Sequence, residues 1–247
     1  MITRILRWLI NLFTPTRDIV DASEIILATD TITVKVNKPV IEVKPKTVQK
    51  IFPILFYGHG PMTKGKRSPK YNGFQFIEYE YNKRTVEIIK NKLDNLGWKY
   101  AIGNDYLVEC YGNCIPERVQ IIKYLISVPA GLEPIIIDQH ANAHTDSWNN
   151  VTGSETWIAD VLANRAKRLL YAQIFQDNMV KRHQSRDRGI KMNNNRRFPM
   201  LYDTPYLSFI LEPEFYTNIE KAKYLANSGD EMQAGAVIDS LRQINEL

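Results

Sequence analysis

The sequence predicts an α/β domain with a central mixed sheet flanked by helices, and three observations carry that prediction. Short apolar runs of strand length at residues 51–57, 134–138 and 206–211 alternate with stretches of helical pattern, the rhythm of sheets covered on both faces. The first two runs each pass directly into a histidine beside small residues, Gly58-His59-Gly60 and His140-Ala141. At 247 residues and 44% hydrophobic content, the chain is long enough to bury one sizeable core and still carry an appendage.

The appendage comes first. In residues 1–13, Ile2, Ile5, Leu6, Leu9 and Phe13 share one helical stripe, with Arg4, Arg7 and Asn11 off it, so an amphipathic basic helix is expected. At about 1.5 Å per residue it rises roughly 20 Å, short of the roughly 30 Å hydrocarbon core. It therefore does not span a bilayer. Contact with a membrane surface or partner, and packing on the protein's own domain, both remain open to it. Asn11 breaks the apolar run and no small-residue cleavage pattern follows, which argues against a signal peptide. Residues 14–49 change to short β-branched stretches broken by Lys and Pro, and read as a linker with one edge strand.

The α/β domain is expected over residues 50–247. A strand at 51–57 is followed by a loop rich in Gly, Pro, Lys and Ser at 61–73, then a helix at 82–96 closed by Gly97. A short strand at 98–102, a helix at 117–127 opened by Pro116 and a strand at 134–138 come next. The remainder reads as a long helical stretch at 154–182, a polar basic loop at 186–197, a strand at 206–211 and helices near 219–227 and 230–244.

Composition narrows the function. Lys and Arg outnumber Asp and Glu by 32 to 27, a mild bias toward anionic surroundings and not a nucleic-acid signature. No Gly-rich phosphate loop is present, which argues against a nucleotide-binding enzyme. Cys110 and Cys114 have no second pair with which to form a zinc knot, and are expected as free or loosely paired thiols.

The two strand-end histidines carry the chemistry. Imidazole is the commonest metal ligand, small neighbours leave room for a ligand, and a catalytic zinc keeps three protein ligands and one open position. His59 and His140 supply two. Glu78 and Glu80 both lie just before the expected helix, and residues two apart on an extended segment point the same way, so periodicity does not choose between them. His144, four residues after His140, lies in a segment that looks irregular.

The order of motifs resembles one family. Gly58-His59-Gly60, Glu78 four residues before Asn82, His140-Ala141-Asn142-Ala143, Arg188-Gly189-Ile190-Lys191, and Leu211-Glu212-Pro213 with Phe215 and Asn218 together resemble the zinc N-acetylmuramoyl-L-alanine amidases of the type-3 family. The resemblance selects Glu78 over Glu80 and implies Zn2+ held by His59, Glu78 and His140, with Glu212 as the catalytic proton carrier. It implies a single catalytic domain with the zinc site at the strand ends, a substrate-binding role for Arg188, and peptidoglycan as the substrate. The bond cut would join N-acetylmuramic acid to L-alanine. Tyr57 and Pro61 depart from the family's usual residues, as do Asp138 where serine is usual and Glu214 at a common glycine position. A zinc peptidase on another peptide and a non-catalytic wall-binding or structural protein are the competing readings. Action at the bacterial cell wall is expected, by an unspecified export route or as a phage endolysin made in the host cytoplasm.

Overall fold

The computed structural model describes residues 24–28, 31–35, 41–43, 48–108, 111–192 and 197–247. Two compact units divide between Val48 and Gln49. The helix expected over residues 1–13 lies outside the described residues. In the first unit, β1 (Glu24–Ala28), β2 (Thr31–Lys35) and β3 (Ile41–Val43) form an antiparallel sheet in the order β1-β2-β3. The segment read as a linker with one edge strand thus holds three paired strands. Its β-branched stretches, such as Thr31-Ile32-Thr33-Val34, have the strand preference that the intervening Lys and Pro obscured.

The second unit is built on a six-stranded mixed sheet of β4 (Ile51–Tyr57), β5 (Ala101–Ile102), β6 (Glu133–Gln139), β7 (Ser154–Ile158), β8 (Asp187–Met192) and β9 (Leu207–Glu212), ordered β5-β4-β6-β9-β7-β8. β5, β4, β6 and β9 are parallel, β7 runs antiparallel to β9, and β8 pairs parallel with β7. The helices are α1 (Glu78–Leu96), α2 (Ile115–Gln120) with a π-helical continuation Ile121–Leu125, α3 (Arg165–His183), α4 (Pro199–Tyr202), α5 (Ile219–Tyr224) and α6 (Asp230–Glu246).

Alternation along the central strands sends side chains to two cores. Ile51, Leu55, Ile135, Ile137, Leu207, Phe209 and Leu211 pack against α1, α3 and α6. On the other face Phe52, Ile54, Phe56 and Ile136 meet Val119, Ile121, Ile122 and Met200. Both faces of β4 and β6 are therefore apolar, which is why each reads as a continuous hydrophobic run. Gly97, at φ 64°, ends α1 in the left-handed conformation and its N–H reaches back to the Asp94 carbonyl, the close that glycine permits most easily.

Two expected elements are corrected. Residues 154–158 form β7 and not the start of a helix, and residues 187–192 form β8 and not a loop. β7 carries Ser154, Glu155 and Thr156, all buried, and each finds a polar partner: Ser154 on the Pro213 carbonyl, Thr156 on Gln176, Glu155 on Asn142. Such a strand has no apolar period to detect. β8 lies at the sheet edge, where charged side chains are the usual guard against unwanted pairing.

Phe175 of α3 is fully buried, with its ring 5.2 Å from that of Phe209 on β9. Phe175→Ala is expected to lower unfolding stability by about 3–5 kcal/mol, read as a fall in the denaturant midpoint without loss of secondary structure in buffer.

Candidate metal centre

Register builds the site. Tyr57 of β4 is level with Gln139 of β6, and Gln139 with Leu211 of β9, so three adjacent parallel strands end on one edge. His59, His140 and Glu212 follow directly. Carboxyl ends of parallel strands are where open α/β sheets bind ligands. His59 sits at φ 66°, a left-handed conformation that turns the chain sharply out of β4. Gly58 has no alternative: a Cβ there would lie 2.2 Å from the His140 ring.

Glu78 comes from the other side of the cleft, and here the expected local structure is corrected. It belongs to the first turn of α1 and does not precede the helix. Residues two apart on a helix point about 200° apart, so Glu78 is buried whereas Glu80 is exposed. Glu78 Oε1 lies 3.1 Å from His59 Nε2 and 3.0 Å from His140 Nδ1, and accepts from the Ala141 N–H at 3.2 Å. The donor atoms of the three residues fall within 4.8 Å of one another. His144 is exposed and stands apart, its backbone N–H bound to Thr217.

The three residues fit a metal ion. His59 Nε2 and Glu78 Oε2 are buried without a hydrogen-bond partner, although His59 Nε2 lies close enough to Oε1 for an ion pair. Buried polar atoms are rarely left so, and two imidazoles with one carboxylate are a zinc donor set. Burial alone would raise the Glu78 pKa, but His59 and His140 hold it well below the usual carboxylate range. Burial likewise opposes charge on His140, yet the Asp138 and Glu78 carboxylates push it up to about 10.

Glu212 lines the same cleft, about 360 Å³ in volume. Burial, opposed by His140 and reinforced by the Glu155 and Glu78 carboxylates, raises its pKa to about 7. Trp157 Nε1–H donates to Glu212 Oε2 at 2.9 Å. Glu214, the neighbouring carboxylate, is fully buried elsewhere: it pairs with Lys221 at 2.8 Å and accepts from the Gly153 N–H. Arg188 is not among the residues lining the cleft. Its Nε donates to Glu155 at 2.5 Å, and its guanidinium lies 4.9 Å from the Phe215 ring.

Several residues of the centre had no signal in the sequence. Asn113 accepts from His59 Nδ1 at 2.6 Å, Trp157 donates to Glu212, and Tyr216 lines the cleft with a hydroxyl pKa raised by burial and by the Glu78 and Glu212 carboxylates. Trp157 lay in a presumed helix and Asn113 in a loop between cysteines, so only the folded chain reveals them. Cys114 is disulfide-bonded and no free cysteine is present among the described residues, so of the free and paired states expected for the two thiols the paired one holds at Cys114. A roomier groove of about 500 Å³ is lined by residues of α1, α3 and α6, but Arg182 there pairs with Asp239 and Lys92 with Glu231. It gathers no metal-ligating cluster.

A doubly covered mixed sheet with a His-Glu-His cluster that could hold a metal, and Glu212 beside it at the strand ends, defines an α/β domain with a candidate metal centre. The sequence pattern of the N-acetylmuramoyl-L-alanine amidase family matches residues 54–243, and the chain belongs to that type-3 amidase family. No curated protein matches the chain. Among solved structures, the N-acetylmuramoyl-L-alanine amidase from Clostridium difficile 630 superposes with a TM-score of 0.63 at 20% identity, covering 79% of this chain and 97% of that one. Ami1 from Mycobacterium smegmatis gives a TM-score of 0.61 at 15% identity, covering 81% and 99%. The catalytic domain of the CD27L endolysin targeting Clostridia difficile gives 0.57 at 17% identity, covering 78% and 97%.

His59→Ala, Glu78→Ala and His140→Ala are each expected to lose tight metal binding, while Glu80→Ala and His144→Ala keep it. Elemental analysis of the purified proteins is the readout, and metal retained by Glu78→Ala but lost from Glu80→Ala would move the third ligand.

Proposed function

We propose that this chain is a zinc-dependent peptidoglycan hydrolase that cuts the amide bond between the lactyl carboxyl of N-acetylmuramic acid and L-alanine. The observation that carries the reading is one cleft holding both the His59-Glu78-His140 cluster and a glutamate whose pKa is raised to about 7. A bound Zn2+ supplies Lewis acidity toward water and the scissile carbonyl. The chain's own groups do the rest. Trp157 holds Glu212 Oε2 and leaves Oε1 to accept a proton and return it to the leaving nitrogen, a task worth roughly 10²- to 10⁴-fold.

Arg188 contributes through Glu155, which stands opposite Glu212 in the β7–β9 register. By neutralising Glu155 it limits how far that carboxylate raises the proton affinity of Glu212. Action at the bacterial cell wall follows from where the substrate lies, and the Cys114 disulfide suits an oxidising compartment. A lytic role in phage release is the version of this reading in which the enzyme is made in the host cytoplasm. Residues 1–13 supply contact with an anionic membrane surface: deleting residues 1–48 is expected to weaken binding to anionic vesicles and to leave hydrolysis of soluble wall fragments near normal.

Glu212→Gln is expected to bind zinc normally and to lose about 10²-fold or more in turnover, because an amide does not accept the proton. Glu214→Gln should cost much less. For the native enzyme, kcat/KM should rise with pH as Glu212 ionises, with the acid limb no higher than about 7, since positive charge at the three ligands lowers that pKa. Mass spectrometry of digested peptidoglycan decides the substrate bond: intact stem peptides with a free L-alanine amine support the amidase, and cleavage within the stem makes the chain a peptidase.

A further inference from the structure

Both histidines of the cluster are held at the ring nitrogen that faces away from it, and one buried side chain ties the two supports together. Asn113 Oδ1 takes His59 Nδ1 at 2.6 Å, which leaves Nε2 toward Glu78. Asp138 Oδ2 lies 3.3 Å from His140 Nε2, which leaves Nδ1 toward Glu78. Between these supports lies Arg118, an arginine only 1% exposed. Its Nη2 donates to the His59 carbonyl at 2.7 Å, and its Nη1 stands 3.6 Å from Asp138 Oδ1.

We propose that Arg118, together with Asn113 and Asp138, is a positioning device that selects the ligating nitrogen of each histidine, so that metal affinity depends on an arginine that is not itself a ligand.

A carboxylate or amide oxygen behind a ligating imidazole sets its tautomer and ring angle, and losing such a partner typically weakens metal binding 10- to 100-fold. His59 is not glycine yet sits at φ 66°, a left-handed conformation that L side chains disfavour. It is gripped at its ring by Asn113 and at its carbonyl by Arg118, both carried by one short segment in which Arg118 N–H closes onto the Cys114 carbonyl at the start of α2. Finally, Asp138 is fully buried, and a lone carboxylate there would be costly without an opposite charge. Arg118 supplies that charge from the side away from His140. Asp138 stands where the family resemblance puts a serine, so in this chain the arginine and the carboxylate act as a pair.

The inference rests on the metal-dependent reading above, and the test separates the two. Zn2+ affinity of the full chain is measured by competition with a chromophoric chelator, beside the thermal midpoint of each protein before zinc is added. Asn113→Ala, Asp138→Ser, Arg118→Met and Arg118→Lys are each expected to bind zinc 10- to 100-fold more weakly. Lysine fails because it lacks the fork that reaches both partners. Asp138→Asn, which retains an oxygen acceptor, should recover most of the loss. Side-chain ¹⁵N spectra of the zinc-loaded protein should show protonated Nδ1 on His59 and protonated Nε2 on His140, with a mixture of tautomers at the affected histidine in Asn113→Ala and Asp138→Ser. If Arg118→Met fails to fold, those two variants and the spectra still decide.

Native zinc affinity in the variants, with only the thermal midpoint lowered, would reduce the trio to fold stability and overturn the proposal. A raised KM with unchanged zinc affinity would make Arg118 a substrate-binding residue and overturn it as well. Failure of the native chain to bind zinc would instead bring down the metal-dependent reading itself, and this inference with it.

Discussion

A carboxylate with 1% of its surface exposed is the constraint on which the centre is built. Burying an ion costs several kcal/mol unless charge and hydrogen bonds replace the lost water. For Glu78 the replacements come from three separate parts of the chain: the His59 ring after β4, the His140 ring and Ala141 N–H after β6, and its own place in the first turn of α1. The N-terminal end of a helix favours negative charge as well. Neither the two histidines nor Ala141 are local to Glu78 in sequence, so the carboxylate is stable only when both strands and the helix are docked.

That docking follows from the sheet. β4 and β6 are apolar on both faces because helices cover both, and a strand buried on two faces tolerates no slip of register, since one residue of shift exchanges its faces. The pairing of Tyr57 with Gln139 and of Gln139 with Leu211 therefore fixes His59, His140 and Glu212 at one height along the edge. Gly58 completes the arrangement by leaving the space that the His140 ring fills. Core packing and site geometry are one requirement seen from two positions along the same strands.

This division also explains what could be read in the sequence. β4 was legible to the residue because burial on both faces writes a continuous apolar run, and β6 and β9 to within a residue at either end for the same reason. β7 was not, because Ser154, Glu155 and Thr156 replace apolar contacts with specific polar ones whose partners lie 13 to 59 residues away. The choice between Glu78 and Glu80 illustrates the same limit at one turn of chain. An assumed extended segment made them equivalent, while a helix beginning four residues earlier sends one to the cluster and the other to solvent. Asn113 and Arg118 carried no signal, since supporting a ligand from behind requires no particular spacing from it in sequence.

A buried glutamate, Glu78, and a half-buried one, Glu212, face one cleft, and their surroundings drive them in opposite directions. Burial raises the proton affinity of both, so burial does not distinguish them. What differs is the sign of the nearest charges. Glu78 lies between two imidazoles that favour its anion, which suits the ligand role proposed for it and makes it a poor carrier of protons. Glu212 has one imidazole near it against the carboxylates of Glu155 and Glu78, and is poised near neutrality, where a group can both accept and return a proton. Glu155 is the third member of this arrangement. Buried at 4% exposure, it is held by Asn142 and Arg188, and it stands opposite Glu212 in the β7–β9 register. Two residues of the same type at the same sheet edge thus differ in proton affinity because neighbouring charge, and not burial, separates them.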